Sequence, residues 1–490
     1  MELPISLYRE HHKSLQHQLV NQIRQLILSK SLISGIKLPS SRELAKQLEV
    51  SRNTVVGAYN KLTESGYLEN RAGSGMFVVE ASPDASISIS SAHLSKDLAS
   101  TQPVHLTSPP ESKQSELYSL PEESVHYDFA LEKTDLEAFP IKAWRRLFSK
   151  KLSSAASNMS RYQYPTGLPE LRNAILEHLA VSRGIVAEPN QVIIVTGIQQ
   201  ALNVVAQLYI REKTKVVIES PGFRGASLLF QNYGAELIPT SVDTQGIVIE
   251  ELQSVNADLA LVTPSRQYPM CGIVPEQRRL SLIDWACQAG AYIVEIDYDS
   301  DFMYHGSPSR AIHALDTTNR VIYMSSFSKT LGPGLRLGYM IVPPEMASYA
   351  KSTKTLLDYG LPWLEQAILA EFIKTGAFEN HIKVLRNKYK SRSELLVSTM
   401  RENFSDLNIQ GLECGTHIVW QLPDNVPAAT KFKRMLSDNN VGLHTLRHYS
   451  VFGADQLANK DRFALLGFAA IDERKIREGL SRIAHMINSL

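Results

Sequence analysis

The sequence predicts a multidomain chain: a small, mostly helical N-terminal unit ending in a β wing, then a large α/β unit on a mainly parallel central sheet. Length is the first reason, since 490 residues exceed a typical domain of about 150 several-fold. The second is a Ser- and Pro-dense stretch, residues 81–123, with Ser86-Ile87-Ser88-Ile89-Ser90-Ser91 and Ser108-Pro109-Pro110 and no regular apolar period. It reads as a linker between residues 1–80 and 124–490. The third is an alternation, beyond the linker, of strand-length apolar runs with helical patterns. The runs are Val192–Val195, Val216–Glu219, Leu259–Thr263, Tyr292–Ile296 and Val321–Met324.

Composition narrows the function classes. Hydrophobic residues at 43% and charged residues at 21% exclude a disordered or collagenous chain. With 51 Lys and Arg against 50 Asp and Glu, the chain is no evenly basic coat, so any nucleic-acid contact is local. Cys271, Cys287 and Cys414 lie far apart without a CxxC pair, which excludes a disulfide scaffold and a cysteine-rich zinc site. No metal is expected. The start, Met1-Glu2-Leu3-Pro4, lacks the pattern of a signal peptide, and no apolar stretch approaches the roughly 18 residues that span a bilayer. A reducing cytoplasm is the expected compartment.

In the small unit, Leu15, Leu19, Ile23, Leu26 and Ile27 form a helical stripe that Leu38-Pro39 follows as a break. Ser40-Ser41-Arg42-Glu43 is a capping box opening a second helix through Leu44, Ala45 and Leu48. After the turn Glu49-Val50, Ser51 caps a third helix with the apolar face Val55, Tyr59 and Leu62, ended by Gly66. Helix, short turn and second helix place the N-terminal residues of the last helix on base edges in a major groove, here Arg52, Asn53 and Thr54. Tyr67-Leu68-Glu69 and Met76-Phe77-Val78-Val79 flank Asn70-Arg71-Ala72-Gly73-Ser74-Gly75, a hairpin with a small basic tip whose glycines let backbone N–H groups approach phosphates. Residues 1–80 carry ten Lys or Arg against seven Asp or Glu; on charge alone, a helical interaction domain fits equally well.

The residues decide further. Leu38-Pro39-Ser40-Ser41-Arg42-Glu43-Leu44-Ala45, Val50-Ser51-Arg52-Asn53-Thr54-Val55, Gly66-Tyr67-Leu68 and Gly73-Ser74-Gly75-Met76-Phe77-Val78 resemble the GntR family of winged helix-turn-helix regulators, from about Pro4 to Val79. The resemblance implies a double-stranded DNA contact through Arg42, the Ser51–Thr54 helix start with Arg52, and the wing from Arg71 through Gly73, Ser74 and Gly75.

In the large unit, Val321–Met324 runs into Ser325-Ser326-Phe327-Ser328-Lys329, then Gly332-Pro333-Gly334-Leu335-Arg336. A lysine at a strand end can form an imine with an aldehyde cofactor while serine hydroxyls and Arg336 bind its phosphate. Ser326-x-x-Lys329 also fits the SxxK of penicillin-binding enzymes, but SDN and KTG partners are missing. Gly332-x-Gly334 lacks dinucleotide spacing, and a surface lysine is the plain alternative. Val192–Val195, Thr196-Gly197 and Ile198-Gln199-Gln200-Ala201 read as strand, glycine turn and helix, aiming free N–H groups at an anion. Phe223 stands after a strand, placed to stack on a planar ring or to fill core. Asp297 and Tyr298 end another strand, where a carboxylate can hold a pyridine nitrogen protonated and a phenol can bond the ring 3-oxygen.

These segments, with Tyr164-Pro165-Thr166-Gly167-Leu168-Pro169, Arg183-Gly184, Ser220-Pro221-Gly222-Phe223, Pro264-Ser265-Arg266-Gln267-Tyr268-Pro269 and Gly338-Tyr339, resemble the fold-type I aminotransferases. With its N-terminal module, nearly the whole chain resembles the MocR group within the GntR family. The resemblance implies pyridoxal 5'-phosphate on Lys329, its phosphate held by Ile198, Gln199, Ser326, Ser328 and Arg336, its ring stacked on Phe223 beside Tyr268, and Tyr298 at the 3-oxygen. It also implies a head-to-tail homodimer.

Three departures bear on chemistry. Where that group usually writes Glu-Asp-Asp-Tyr, this chain has Glu295-Ile296-Asp297-Tyr298, so the ring partner passes to Asp297 if strand register turns it inward. Arg266 replaces the usual His. Leu465 replaces the arginine that grips a substrate carboxylate, leaving Arg224, Arg266, Arg447 and Arg462 as substitutes for an effector. The function expected is a regulator that binds paired half-sites on DNA and senses pyridoxal phosphate or an amine or amino acid, with the cofactor itself favoured as effector. The rivals are a transaminase that also binds DNA, and a DNA-binding dimer whose large unit is only a scaffold.

Overall fold

The computed structural model describes residues 3–8, 13–79, 125–131, 133–135, 137–153, 155–162, 164–306, 309–405, 407–449 and 460–490. They belong to two compact units, within Met1–Ser108 and Pro109–Leu490. The Ser/Pro-rich segment expected as linker lies outside the described residues.

The small unit has three helices, α1 (Leu15–Leu28), α2 (Ser41–Gln47) and α3 (Arg52–Glu64), and a two-stranded hairpin, β1 (Leu68–Arg71) with β2 (Gly75–Val78). Each helix start is capped as its sequence demands. Ser14 Oγ accepts from His17 N, Ser40 and Glu43 cap each other reciprocally, and Ser51 Oγ accepts from Thr54 N at 3.1 Å. These bonds satisfy donors that a helix cannot pair internally. Leu19, Ile23, Leu44, Val55 and Leu62, all fully buried, meet Leu38, Tyr67 and Val78 in one core. The helical stripe from Leu15 says nothing of Leu3 and Ile5, which also join that core. Arg71 pairs with Gly75 across the hairpin, so the strands run further into the expected tip and leave only Ala72-Gly73-Ser74 as the turn.

The large unit is built on an eight-stranded sheet ordered β4-β11-β10-β9-β8-β5-β6-β7. Its strands are β4 (Val192–Val195), β5 (Lys215–Ser220), β6 (Glu236–Asp243), β7 (Gly246–Ile247), β8 (Leu259–Val262), β9 (Tyr292–Asp297), β10 (Val321–Ser326) and β11 (Gly338–Ile341). The neighbours from β10 to β6 pair in parallel, whereas β11 runs antiparallel to both β10 and β4. The five expected runs are all strands; β6 and β11 carry no comparable isolated apolar run. Both faces are buried, which is why these strands read as continuous apolar stretches and do not alternate. On one face Val195, Ala201, Val205, Phe230, Ile296 and Met324 pack together; on the other lie Leu171, Ile194, Tyr323, Tyr339 and Ile368.

A second sheet, unforeseen from the sequence, joins Asn408–Gln410 (β12), His417–Gln421 (β13), Phe463–Gly467 (β16) and His444–Thr445 (β15), all antiparallel. A two-stranded parallel pair, Tyr127–Asp128 (β3) with Val441–Gly442 (β14), lies apart from it. Trp420, Phe129, Phe432 and Leu480 fill the core beneath. No helix among the described residues is long and apolar enough to cross a membrane.

Leu19→Ala is expected to cost the small unit about 2–5 kcal/mol by deleting a fully buried side chain; a lower urea midpoint for loss of its helical circular-dichroism signal is the check.

Candidate functional site

The carboxyl ends of β4, β5, β8, β9 and β10 open toward the same edge of the sheet, where α/β folds bind ligands. Each supplies one part of a site. After β10, Ser326, Phe327 and a short helix, Ser328–Leu331, carry Lys329, whose Nζ donates to the Leu131 carbonyl at 2.6 Å. After β4, Gly197 adopts φ +109° and starts the helix Ile198–Tyr209, leaving the Ile198 and Gln199 N–H groups at a positive helix end. A Cβ on Gly197 would lie 3.2 Å from Arg336 Nη2, so the guanidinium rests directly over this turn. Gln200 is structural: its Oε1 accepts from Thr196 N and its Nε2 donates to Asp358. Gln199 Nε2 donates to the Gly225 carbonyl.

After β5 and β8 come the aromatic walls. The Phe223 and Tyr268 rings stand edge to face at 6.2 Å, Tyr268 meets Tyr298 at 5.3 Å, and Tyr449 meets Tyr268 at 5.3 Å. Glu219, fully buried, ties the two loops together: it accepts from Thr263 N and Oγ1 and from Gln267 Nε2, which also donates to the Pro221 carbonyl. Burial pushes its carboxyl up to about 7, against these hydrogen bonds, which pull it down.

The residues after β9 divide between the two sheet faces. Tyr298 Oη is buried with no hydrogen-bond partner, an orphaned donor. The expectation that Asp297 meets a ring nitrogen is corrected. Its Oδ2 accepts from Tyr323 Oη at 2.8 Å and pairs with Arg183 Nε at 2.8 Å, on the face opposite Ile296, because successive strand residues point to opposite sides. Asp299, likewise buried, pairs with Arg266 at 3.1 Å; burial pushes its carboxyl up to about 6 against the pull of Arg266.

Two of the effector arginines are also corrected. Arg266 is 1% exposed and is consumed by Asp299, Cys271 Sγ, His417 Nδ1 and the His417 carbonyl. Gly415 makes room for it: a Cβ there would collide with Arg266 Cζ. Burial, and then the charge of Arg266 on its Nδ1, hold His417 far below the usual imidazole range. Arg462 donates to the carbonyls of Val426, Leu422 and Pro423. Of the other two, Arg224 opens the helix Arg224–Asn232 next to Phe223, and Arg447 is exposed in the turn Leu446–Tyr449. Leu465 is fully buried with Leu131, Leu446 and Tyr449, edged by Tyr268 and Met270, so an apolar wall stands where a carboxylate clamp was sought. The sequence carried no signal for Leu131, Tyr449 or the Arg183 pair, because each acts through a contact distant along the chain.

In the small unit, Arg42, Ser51, Arg52 and Asn53 are exposed and Thr54 half-buried, with Ser51 and Thr54 hydroxyls 2.8 Å apart and Arg52 Nε donating to Ser41 Oγ. On the wing, Arg71 is steadied by Glu69 and lies 4.7 Å over the Phe77 ring. Gly73 and Gly75 take φ of +76° and +112°, which other residues adopt only with strain, and Gly73, Ser74 and Gly75 are exposed. The exposed Lys37 was missed: it bridges β2 at Phe77, and its Cε lies 3.2 Å from where a Gly75 Cβ would stand.

Comparison with known proteins agrees with both units. Residues 130–483 match the family of aminotransferase class I and II, and residues 15–78 match the bacterial regulatory proteins of the gntR family. The chain is 32% identical to the probable rhizopine catabolism regulatory protein MocR of Rhizobium meliloti, over 97% of this chain and 94% of that one. It is 29% identical to the pyridoxine biosynthesis regulator PdxR of Corynebacterium glutamicum, over 99% of each. The fold overlays that of Pyrococcus horikoshii kynurenine aminotransferase with a TM-score of 0.69 at 24% identity, covering 78% of this chain and 95% of that one.

Because the Glu219 carboxyl is raised from 4.5 to about 7 in the fold, its stabilising contribution is complete below pH 4.5 and is lost as pH rises through 7. Glu219→Gln is expected to flatten the fall in stability between pH 5 and 7.5 by about 2 kcal/mol, measured as urea midpoints at the two values.

Proposed function

The chain belongs to the MocR group of GntR-family transcriptional regulators, and on that footing we propose how it works: operator DNA binds the small unit, and pyridoxal 5'-phosphate bound in the aminotransferase-like unit is the signal. The observation that carries the cofactor reading is the orphaned, buried Tyr298 Oη in a site that also holds a strand-end lysine and an arginine over a helix-opening glycine. These parts fit the group. Lys329 would hold its aldehyde carbon. The Ile198 and Gln199 N–H groups, Ser326, Ser328 and Arg336 would hold its phosphate, which a helix start and a guanidinium recognise together. Phe223 and Tyr268 would enclose the ring, and Tyr298 would donate to its 3-oxygen. Bound cofactor supplies a reactive carbonyl that takes up amines.

The apolar Leu465 wall supports the cofactor itself, or an amine without a carboxylate, as effector, and binding without turnover. No built carboxylate clamp stands among the described residues at Leu465. A homodimer is supported by exposed apolar residues on the large unit: Tyr162 (90% exposed), Tyr359 (62%) and Leu356 (82%), with the two tyrosine rings 6.0 Å apart. Two DNA-binding units per dimer read paired half-sites. Arg52 and Asn53 at the start of α3, with Arg42, read or position the major groove, and Lys37, Arg71 and the glycine turn engage phosphates. Cytoplasmic residence follows from work on DNA.

Titrating the purified protein with pyridoxal phosphate is expected to build an absorption band in the wild type and none in Lys329→Ala. With an operator selected from random duplexes, cofactor is expected to change affinity or bend; identical binding in both states would remove the sensing role. Arg52→Ala is expected to weaken operator binding by about tenfold and relax specificity, while Lys37→Ala lowers affinity uniformly and reduces the salt slope by about one, both measured by fluorescence anisotropy across salt concentrations.

A further inference from the structure

The inference rests on the cofactor reading above and concerns the one edge of the ring that reading leaves without a polar partner. In pyridoxal phosphate the nitrogen lies across the ring from the aldehyde carbon. With that carbon at Lys329, the phosphate at Gly197 and Arg336, and the 3-oxygen at Tyr298, the nitrogen edge falls toward the end of β9, two residues before Tyr298. That residue is Ile296. It is 3% exposed and packs in the cluster of Val195, Met324, Ile198 and Phe223, the side chains on the phosphate and ring side of the sheet.

The neighbouring acids are all committed elsewhere. Glu295 accepts from the backbone N–H groups of Ile312 and His313. Asp297 is held by Arg183 and Tyr323 on the same far face, and Asp299 by Arg266. Asp297 Oδ1 has no hydrogen-bond partner, but it belongs to a side chain turned away from Ile296.

The geometry points to Ile296 as the residue that meets the pyridine nitrogen, so that this chain holds the cofactor as a neutral pyridine. Hydrocarbon cannot stabilise a buried pyridinium, and without an acid partner the protonated ring is the costly form. The unprotonated ring is a weak electron sink. The site therefore retains the cofactor through its phosphate, aldehyde and 3-oxygen and lacks the device that makes the ring a catalyst. Ile296 thus separates sensing from turnover.

The test compares pyridoxal 5'-phosphate with its 1-deaza analogue, which has C–H in place of the ring nitrogen, by calorimetric titration of the full-length protein. Affinities within about threefold of each other are expected, since the nitrogen makes no charge-assisted bond. Ile296→Asp is expected to favour the natural cofactor by about tenfold or more, the worth of one such bond, with Ile296→Asn as the size control. A nitrogen-15 spectrum of labelled cofactor on the wild type, expected at the neutral-pyridine position, gives the same answer without any variant. A wild-type preference of tenfold for the natural cofactor, or a pyridinium signal abolished in Asp297→Asn, would overturn the assignment in favour of Asp297. Failure of both compounds to bind would instead overturn the cofactor reading, and this inference with it.

Discussion

Burial obliges every acid at the end of β9 and just past it to find a partner, and within the strand the pleat decides on which side it looks. Glu295, Asp297 and Asp299 are each at most 3% exposed, a condition tolerable only where hydrogen bonds or opposite charge replace water. Backbone N–H groups serve Glu295, Arg183 serves Asp297 and Arg266 serves Asp299. With Glu295 and Asp297 anchored on one face of the strand, Ile296 between them faces the other way. The site is thus framed by buried ion pairs, and removing one partner would strand a charge at a cost of about 3–5 kcal/mol.

A second frame joins the aromatic walls. Glu219, at the end of β5 just before the loop of Phe223, gathers three donors from the segment that leads to Tyr268, so a buried carboxyl ties together the two loops that carry these rings. The antiparallel sheet brings Leu465 from the far end of the chain against Leu131, whose carbonyl holds Lys329. Lysine, aromatic cage and apolar wall are therefore one packed assembly. A ligand that displaces the lysine from Leu131 acts on the base of that wall, a local change of the kind that biases a two-state element. A coupling of only about 1 to 3 kcal/mol between such a site and DNA suffices to switch occupancy.

The five apolar runs became strands because a parallel sheet buried on both faces admits little else. The capping box Ser40-Ser41-Arg42-Glu43 and the Ser51 cap formed as written, since a cap is decided within four residues. The four-stranded antiparallel sheet was not legible: its strands are short and its pairings, such as Val419 with Leu465, join distant segments.

By itself the sequence determined the order of the two units, the helix starts of the small one and the central strands of the large one. Those are local patterns, fixed by side-chain period, caps and glycine turns. The tertiary structure alone decided which charged residues are free to act. Asp297, Arg266 and Arg462 carry the right chemistry, but whether a charge reaches a ligand or is neutralised in the core depends on the strand face it occupies and on partners such as Arg183, His417 and Val426, brought to it by packing across long stretches of chain.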